Sequence, residues 1–311
     1  MRTFIISILL TGIGILGTIS SKAKAQTQKS TQSSTETRYL VIRTDDAGMS
    51  HSVNMGFQKL LEYSDLPVSV SIMFPCPWYQ EAVDILKEHS EQVTAGIHLT
   101  VNSEWEYYRW GPVAGQQTVP SLVDSNGYFF HSAEDLYGNE PDMQELETEL
   151  RAQIERALAT GLDIKYMDAH MGTVFNDPQF REVTEKLARE YGLGLFGYFN
   201  ETSWSPQYRA APNDKIDSLT TIIPKLKPGY NYLVSHVGIN NPELATMKDM
   251  NSGQPLANMG AHRQSVLGAL ISPAFEQALE KGNLKLISFK EIIEREGLDH
   301  MKSPFPKNQT Y

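Results

Sequence analysis

Two adjacent aspartates, Asp45 and Asp46, follow the apolar run Tyr39-Leu40-Val41-Ile42 in the segment RTDDAGMSHSVNMG, residues 43–56. Like charges this close raise each other's pKa unless something positive lies between them. Three later apolar runs end in related chemistry: GIHLT carries His98, YMDAHMG carries Asp168 and His170, and SHVG carries His236. One carboxylate and two imidazoles suit a divalent cation and leave positions open for water and substrate. Asp46, His98 and His170 are the expected ligands. The cation would keep Asp46 ionised and offset its repulsion with Asp45. Asp45 would then serve as a base toward water, whose pKa such a metal lowers to roughly 7. Asp168 fits better behind a ligand, orienting a histidine, than as a ligand itself. A lone Asp at a strand end is most often a cap or turn residue, and a lone His there is usually a satisfied polar side chain. His51, His89, His131, His262 and His300 fit that description, with His51 the nearest rival because it neighbours the aspartate pair.

The elements that must position these residues alternate along the chain. Strands are expected at 39–43, 68–73, 93–99, 164–169, 193–196, 232–236 and 284–288. Helices are expected at 53–63, 78–88, 143–159, 178–191, 263–280 and 289–296. The helix at 143–159 is the clearest, with Leu146, Leu150, Ile154 and Leu158 at i, i+4 spacing and Gly161 just beyond it. Such alternation implies an α/β fold of about seven parallel strands with helical crossovers, either a (β/α) barrel, incomplete or distorted, or an open doubly wound sheet. In both, the C-terminal strand ends meet on one face, where such folds place their sites. No Gly-x-Gly-x-x-Gly follows the first strand, which argues against dinucleotide binding.

Composition bounds the alternatives. A chain of 311 residues, 41% hydrophobic and 21% charged, reads as an ordinary globular protein. Its net charge of −10 has no general attraction for phosphate backbones, so nucleic acid is not an expected partner. Arg2, the apolar stretch 4–19 and Ala23-Lys24-Ala25 read as a signal peptide, residues 1–25, cut after Ala25. The product would be exported, periplasmic or secreted, with no stable membrane insertion. Residues 26–37, QTQKSTQSSTET, read as a flexible polar leader. Residues 38–311 are expected to form a single domain with an inserted loop at 100–141. Cys76 is the only cysteine, so stability rests on the core and not on an internal disulfide.

The segments TDDAGMSHSVN, GIHLT, YMDAHMG and SHVG, in this order and spacing, resemble the YdjC/ChbG-type carbohydrate deacetylase family over about residues 38–296. The resemblance implies a barrel-like, metal-dependent enzyme that removes acetyl groups from N-acetylated sugars. By position it implies Asp45 as general base, Asp46, His98 and His170 as ligands, and His236 as the acid near the leaving amine. An unperturbed histidine pKa of about 6.5 suits that last role. Arg263 matches a family arginine expected to bond a site carboxylate. One divalent ion is implied, Zn or Mg; imidazole ligands suit the former. Two departures stand out. The usual Asp-Ser-His-x-His is Asp168-Ala169-His170-Met171-Gly172, and the usual His-Pro-Gly is His236-Val237-Gly238. Both alter the site wall and leave the ligands in place.

The insertion carries NSEWEYYRWGP, with Trp105, Tyr107, Tyr108 and Trp110 outside any periodic pattern. Aromatic rings offer flat apolar area to the C–H faces of sugars. Trp105, Tyr108, Trp110 and, from the loop at 197–209, Trp204 are the expected glycan contacts. The Asn-, Gly-, Met- and Pro-rich loop 238–260 is expected to be mobile over the site. Competing readings are a metal-dependent hydrolase of O-acetyl esters or non-sugar amides, and a non-catalytic carbohydrate-binding protein on the same scaffold. The presence of Asp45 and all three ligands speaks against the last.

Overall fold

Short apolar runs separated by amphipathic helices build one parallel sheet. The computed structural model describes residues 37–251 and 257–305. The expected signal peptide, nearly all of the leader and residues 252–256 of the late loop lie outside the described residues. The strands are β1 (Arg38–Ala47), β2 (Val68–Ile72), β3 (Val93–Leu99), β4 (Ile164–Ala169), β5 (Gly194–Leu195), β6 (Thr202–Trp204), β7 (Gly229–Ser235) and β8 (Lys285–Leu286). They follow the order β5-β4-β3-β2-β1-β7-β6, all parallel, with β8 pairing on β1. The path ends at β5 and β6, so the seven strands curl into a half-barrel.

The two sides of the strands separate cleanly, as the period of two requires. Leu40 and Ile42 of β1, Val70 of β2 and Ile97 of β3 pack outward into the main core. Helices His51–Tyr63, Tyr79–Glu88, Met143–Ala159 and Pro178–Tyr191 contribute Phe57, Leu86, Leu150 and Leu187 to that core. Inward, Val41 and Tyr166 join Phe196, Phe199, Ile287, Phe289 and Ile292 in a second apolar cluster. Phe196 and Phe289 stack at 3.9 Å between centroids. Toward the C-terminal ends the inner face turns polar: Arg43 and Asp45 follow Val41, and Asp168 follows Tyr166. The polar site is therefore floored by an apolar plug.

Two expectations about elements are corrected. The helix expected at 263–280 is two helices, Met259–Leu270 and Pro273–Lys281. Pro273 has no N–H to donate and clashes with a preceding helical turn. Ser272 instead caps the second helix, accepting from the Phe275 N–H. β6, Thr202–Trp204, adds a strand that the periodicity does not predict; among the described residues it pairs only with β7, and it is too short to show a period. Among the described residues no helix is long and apolar enough to cross a membrane.

Gly96 on β3 makes room for the Tyr166 ring across the inner face. A Cβ there would meet that ring at 2.3 Å. Tyr166 is fully buried and its hydroxyl lies 3.0 Å from Ser71 Oγ, so it has no free direction in which to yield. Gly96→Ala is expected to lose about 1–3 kcal/mol of stability, the usual cost of overpacking, read as a lower midpoint in urea unfolding.

Candidate metal centre and active site

In a regular strand Asp45 and Asp46 would face opposite sides of the sheet. Here the register of β1 on β2 shifts between Thr44 and Ala47, and Asp46 adopts φ +72°. A bulge re-aims side chains, and both carboxylates line one cavity of about 340 Å³. Gly48, at φ +84°, completes the turn; a Cβ there would lie 2.8 Å from Tyr79 Cα. Both aspartates are buried.

His98 closes β3 and His170 follows β4, and each has one ring nitrogen already engaged. His98 Nδ1 lies 2.6 Å from Asp168 Oδ1, and His170 Nε2 lies 2.8 Å from Glu104 Oε2. A carboxylate on one nitrogen holds a proton there and leaves a lone pair on the other. The remaining nitrogens, His98 Nε2 and His170 Nδ1, are 3.2 Å apart and lie 3.3 and 3.4 Å from Asp46 Oδ1. Asp46 Oδ1 is buried without a hydrogen-bond partner. Three ligands at about 2.0–2.1 Å around a tetrahedral ion sit about 3.3–3.4 Å apart, so the triangle and its orphaned oxygen fit a divalent cation.

Without a cation, the carboxylates dominate these rings. Burial opposes charge on His98, but Asp168 and Asp46 outweigh it and push its pKa up to about 10. Burial likewise opposes charge on His170, and Glu104 and Asp46 raise it to about 9. Protons therefore compete with a metal for both rings, and affinity must fall as pH falls.

Each aspartate has its own arginine. Arg263 Nη2 donates to Asp46 Oδ2 at 2.5 Å; burial would raise the Asp46 pKa, but Arg263 and the histidines hold it well below the carboxylate range. Arg43 Nη2 donates to Asp45 Oδ2 at 2.7 Å, and its Nε lies 3.3 Å from Asp168 Oδ2. The Arg43 guanidinium also stands over the rings of Phe196 and Tyr232, at 4.9 and 5.4 Å. Asp45, His98 and Asp168 form a second possible ligand group. Arg43 already bridges its two carboxylates, so a further cation there would meet a fixed positive charge. For Asp45, burial and the charge of Asp168 outweigh Arg43 and raise its pKa to about 6, and its Oδ1 has no partner.

His236 joins these residues in the cavity wall, as do Arg263 and Trp105. Asp168 stands behind His98, on the far side from Asp46. His51 turns away and bonds Glu81 at 2.8 Å. The other aromatic expectations fare differently. Trp110 is buried, edge-on to His170, and its Nε1 donates to Asn102 O at 3.0 Å. Tyr108 donates to Met49 O, and Trp204 Nε1 donates to Asn231 Oδ1. None of these three lines the cavity; their polar tips are spent on the fold. Sequence reasoning missed Glu104 and Arg43. Glu104 lies in the insertion without periodic context, although its place just before a cluster of rings was visible. Arg43 was legible only as the residue before Thr44-Asp45. Residues 248–250 of the late loop are tied to the insertion: Met250 N donates to Glu104 O at 2.8 Å and Glu106 N to Lys248 O at 3.0 Å.

Fold and site together define a barrel-like α/β protein whose buried carboxylate and two imidazoles fit a divalent cation. Residues 39–281 match the model of the YdjC-like protein family, and the chain belongs to that family. It is 30% identical over 236 residues to the carbohydrate deacetylase of Thermus thermophilus, covering 68% of this chain and 82% of the relative. It is 26% identical over 264 residues to the carbohydrate deacetylase of Geobacillus stearothermophilus, covering 82% and 98%. A proposed cellobiose-phosphate cleavage protein from Enterococcus faecalis V583 shares the fold, with a TM-score of 0.69 at 19% identity over 82% of this chain and 99% of the other.

Removing one partner of a buried ion pair leaves an uncompensated charge. Arg43→Met keeps the stem against Phe196 but strips both Asp45 and Asp168 of their cation. The expected loss is about 3–5 kcal/mol at neutral pH, measured by urea unfolding.

Proposed function

We propose that this chain is an exported, metal-dependent hydrolase that removes acetyl groups from N-acetylated sugars or oligosaccharides. The observation that carries the reading is the Asp46–His98–His170 triangle, with the unpartnered oxygen of Asp45 in the same cavity. The names of the relatives supply the substrate class, and Trp105, in the cavity wall with an unpartnered Nε1, supplies a ring and a donor for a sugar.

Asp46, His98 and His170 would hold the cation. When bound, a divalent cation polarises the acetyl carbonyl and makes water a nucleophile near neutral pH. Asp45 takes the proton of the attacking water. Its pKa of about 6 leaves it ionised at neutral pH and still basic enough to accept. Arg43 fixes Asp45 Oδ2 and leaves Oδ1 to receive that proton. Asp168 and Glu104 hold the two imidazoles in the tautomers that present lone pairs. His236 is assigned to the departing amine, with one change from the sequence expectation. Burial first, and then the Arg263 cation against the opposing charge of Asp46, push its pKa down to about 3. It rests uncharged, so it delivers only a proton released within the reaction.

The first test is acetate release from a panel of N-acetylated oligosaccharides, before and after chelation, with Zn, Mg, Mn and Co restored separately. Release is expected to vanish on chelation and return with a divalent ion; undiminished release without metal would sink the reading. Asp45→Asn should keep metal and lose turnover by at least about 100-fold. His98→Ala should lose both. Glu104→Ala should weaken metal binding by about 10–100-fold. Export predicts a mature protein beginning at Gln26 in the periplasmic or secreted fraction; mass spectrometry showing an uncut chain in the cytoplasm would refute it.

A further inference from the structure

Lys215 is a buried titratable group that the proposed chemistry does not use. It opens the helix Lys215–Thr220, is 1% exposed, and lines the same cavity as the metal centre. Burial lowers its pKa to about 8, and among the described residues no carboxylate forms an ion pair with it. At neutral pH it still carries three hydrogens. All three are placed: on Gln207 O at 2.6 Å, on Tyr208 O at 3.3 Å, and on His262 Nδ1 at 3.0 Å.

An ammonium offers donors and no acceptor. His262 Nδ1 must therefore accept, and the ring proton must sit on Nε2. Protonating Nδ1 as well would set two cations face to face; burial and then the Lys215 charge hold the His262 pKa below its ordinary value. His262 lines the cavity, and among the described residues no hydrogen bond engages its Nε2. The result is a fixed, uncharged N–H donor. It stands on the helix Met259–Leu270, next in sequence to Arg263, whose guanidinium holds Asp46. The donor is thus tied to the same short piece of helix that positions the metal-facing carboxylate. A free His at this position reads from sequence as a satisfied polar residue; the tertiary contact with Lys215 changes that.

We infer that His262 is a substrate-binding residue, donating from Nε2 to an oxygen of the bound glycan, and that Lys215 is the positioning residue that sets its tautomer. The inference rests on the deacetylase reading only for the identity of the ligand. A neutral donor suits a sugar hydroxyl or ring oxygen, which accepts without bringing charge into the cavity.

The test uses the full metal-loaded protein and N-acetylglucosamine oligosaccharides of two to five units. His262→Leu is expected to raise KM about tenfold with kcat within about twofold, the scale of one lost neutral hydrogen bond. His262→Gln, whose amide N–H reaches a similar place, should recover most of the loss. Lys215→Met should raise KM alone but add nothing in the His262→Leu background, since the two act as one unit. The ¹⁵N shifts of the His262 ring should report the Nε2–H tautomer in the wild type and a mixture in Lys215→Met, a readout that a merely structural lysine would not move. Equilibrium binding of the tetramer by calorimetry separates the two readings. Binding without turnover, weakened about tenfold by His262→Leu, would refute deacetylation of this panel and support His262. Turnover unaffected by His262→Leu would overturn the His262 role alone. A folded wild type that neither binds nor cleaves any member would overturn both.

Discussion

The left-handed backbone at Asp46 is the constraint on which the site depends. Two neighbours on a strand cannot share a cavity unless the strand breaks its alternation, and the bulge between Thr44 and Ala47 does so. A non-glycine residue at φ +72° costs on the order of 1–3 kcal/mol. Two buried carboxylates would cost far more if unpaired. Both costs are met by tertiary contacts, with Arg43 on Asp45 and Arg263 on Asp46. The positive partners of the aspartate pair are thus two guanidinium groups, and the orphaned Asp46 Oδ1 is what remains for a cation.

From that bulge the inner face reads as layers. Phe196, Phe289, Val41 and Tyr166 form a dry floor. Arg43 lies over its aromatic rings and feeds charge upward to Asp45 and Asp168. Asp168 orients His98, and His98 meets His170 and Asp46 at the top. Each polar group is braced by one beneath it, which holds the donor atoms in place before any ligand arrives. Low dielectric in this stack strengthens every pair and penalises every omission.

The insertion after β3 enters the candidate site and does not only border it. It returns Glu104 to His170, while Trp110 and Tyr108 tie it down through their polar tips. Lys248 and Met250 bond it through the backbone at Glu106 and Glu104. Segments remote in sequence therefore close around one histidine, and the aromatic residues are divided between holding that closure and facing the cavity.

Much of this was legible in the chain itself. Period-two runs and i, i+4 spacing set the strand and helix order, because burial of one face imposes those periods locally. Asp45, Asp46, His98, Asp168, His170 and His236 could be grouped because parallel strands bring their C-terminal ends together. Even the break before Pro273 was written in the sequence, in a residue without an N–H. What only the tertiary structure decided were the partners. The pairings of Glu104 with His170, Arg43 with Asp168, and Lys215 with His262 span segments that no local period links. Local spacing also left open which rings would meet ligand and which would anchor a loop. Those choices depend on where buried donors find acceptors in three dimensions, and that is settled only when the half-barrel closes over its own polar groups.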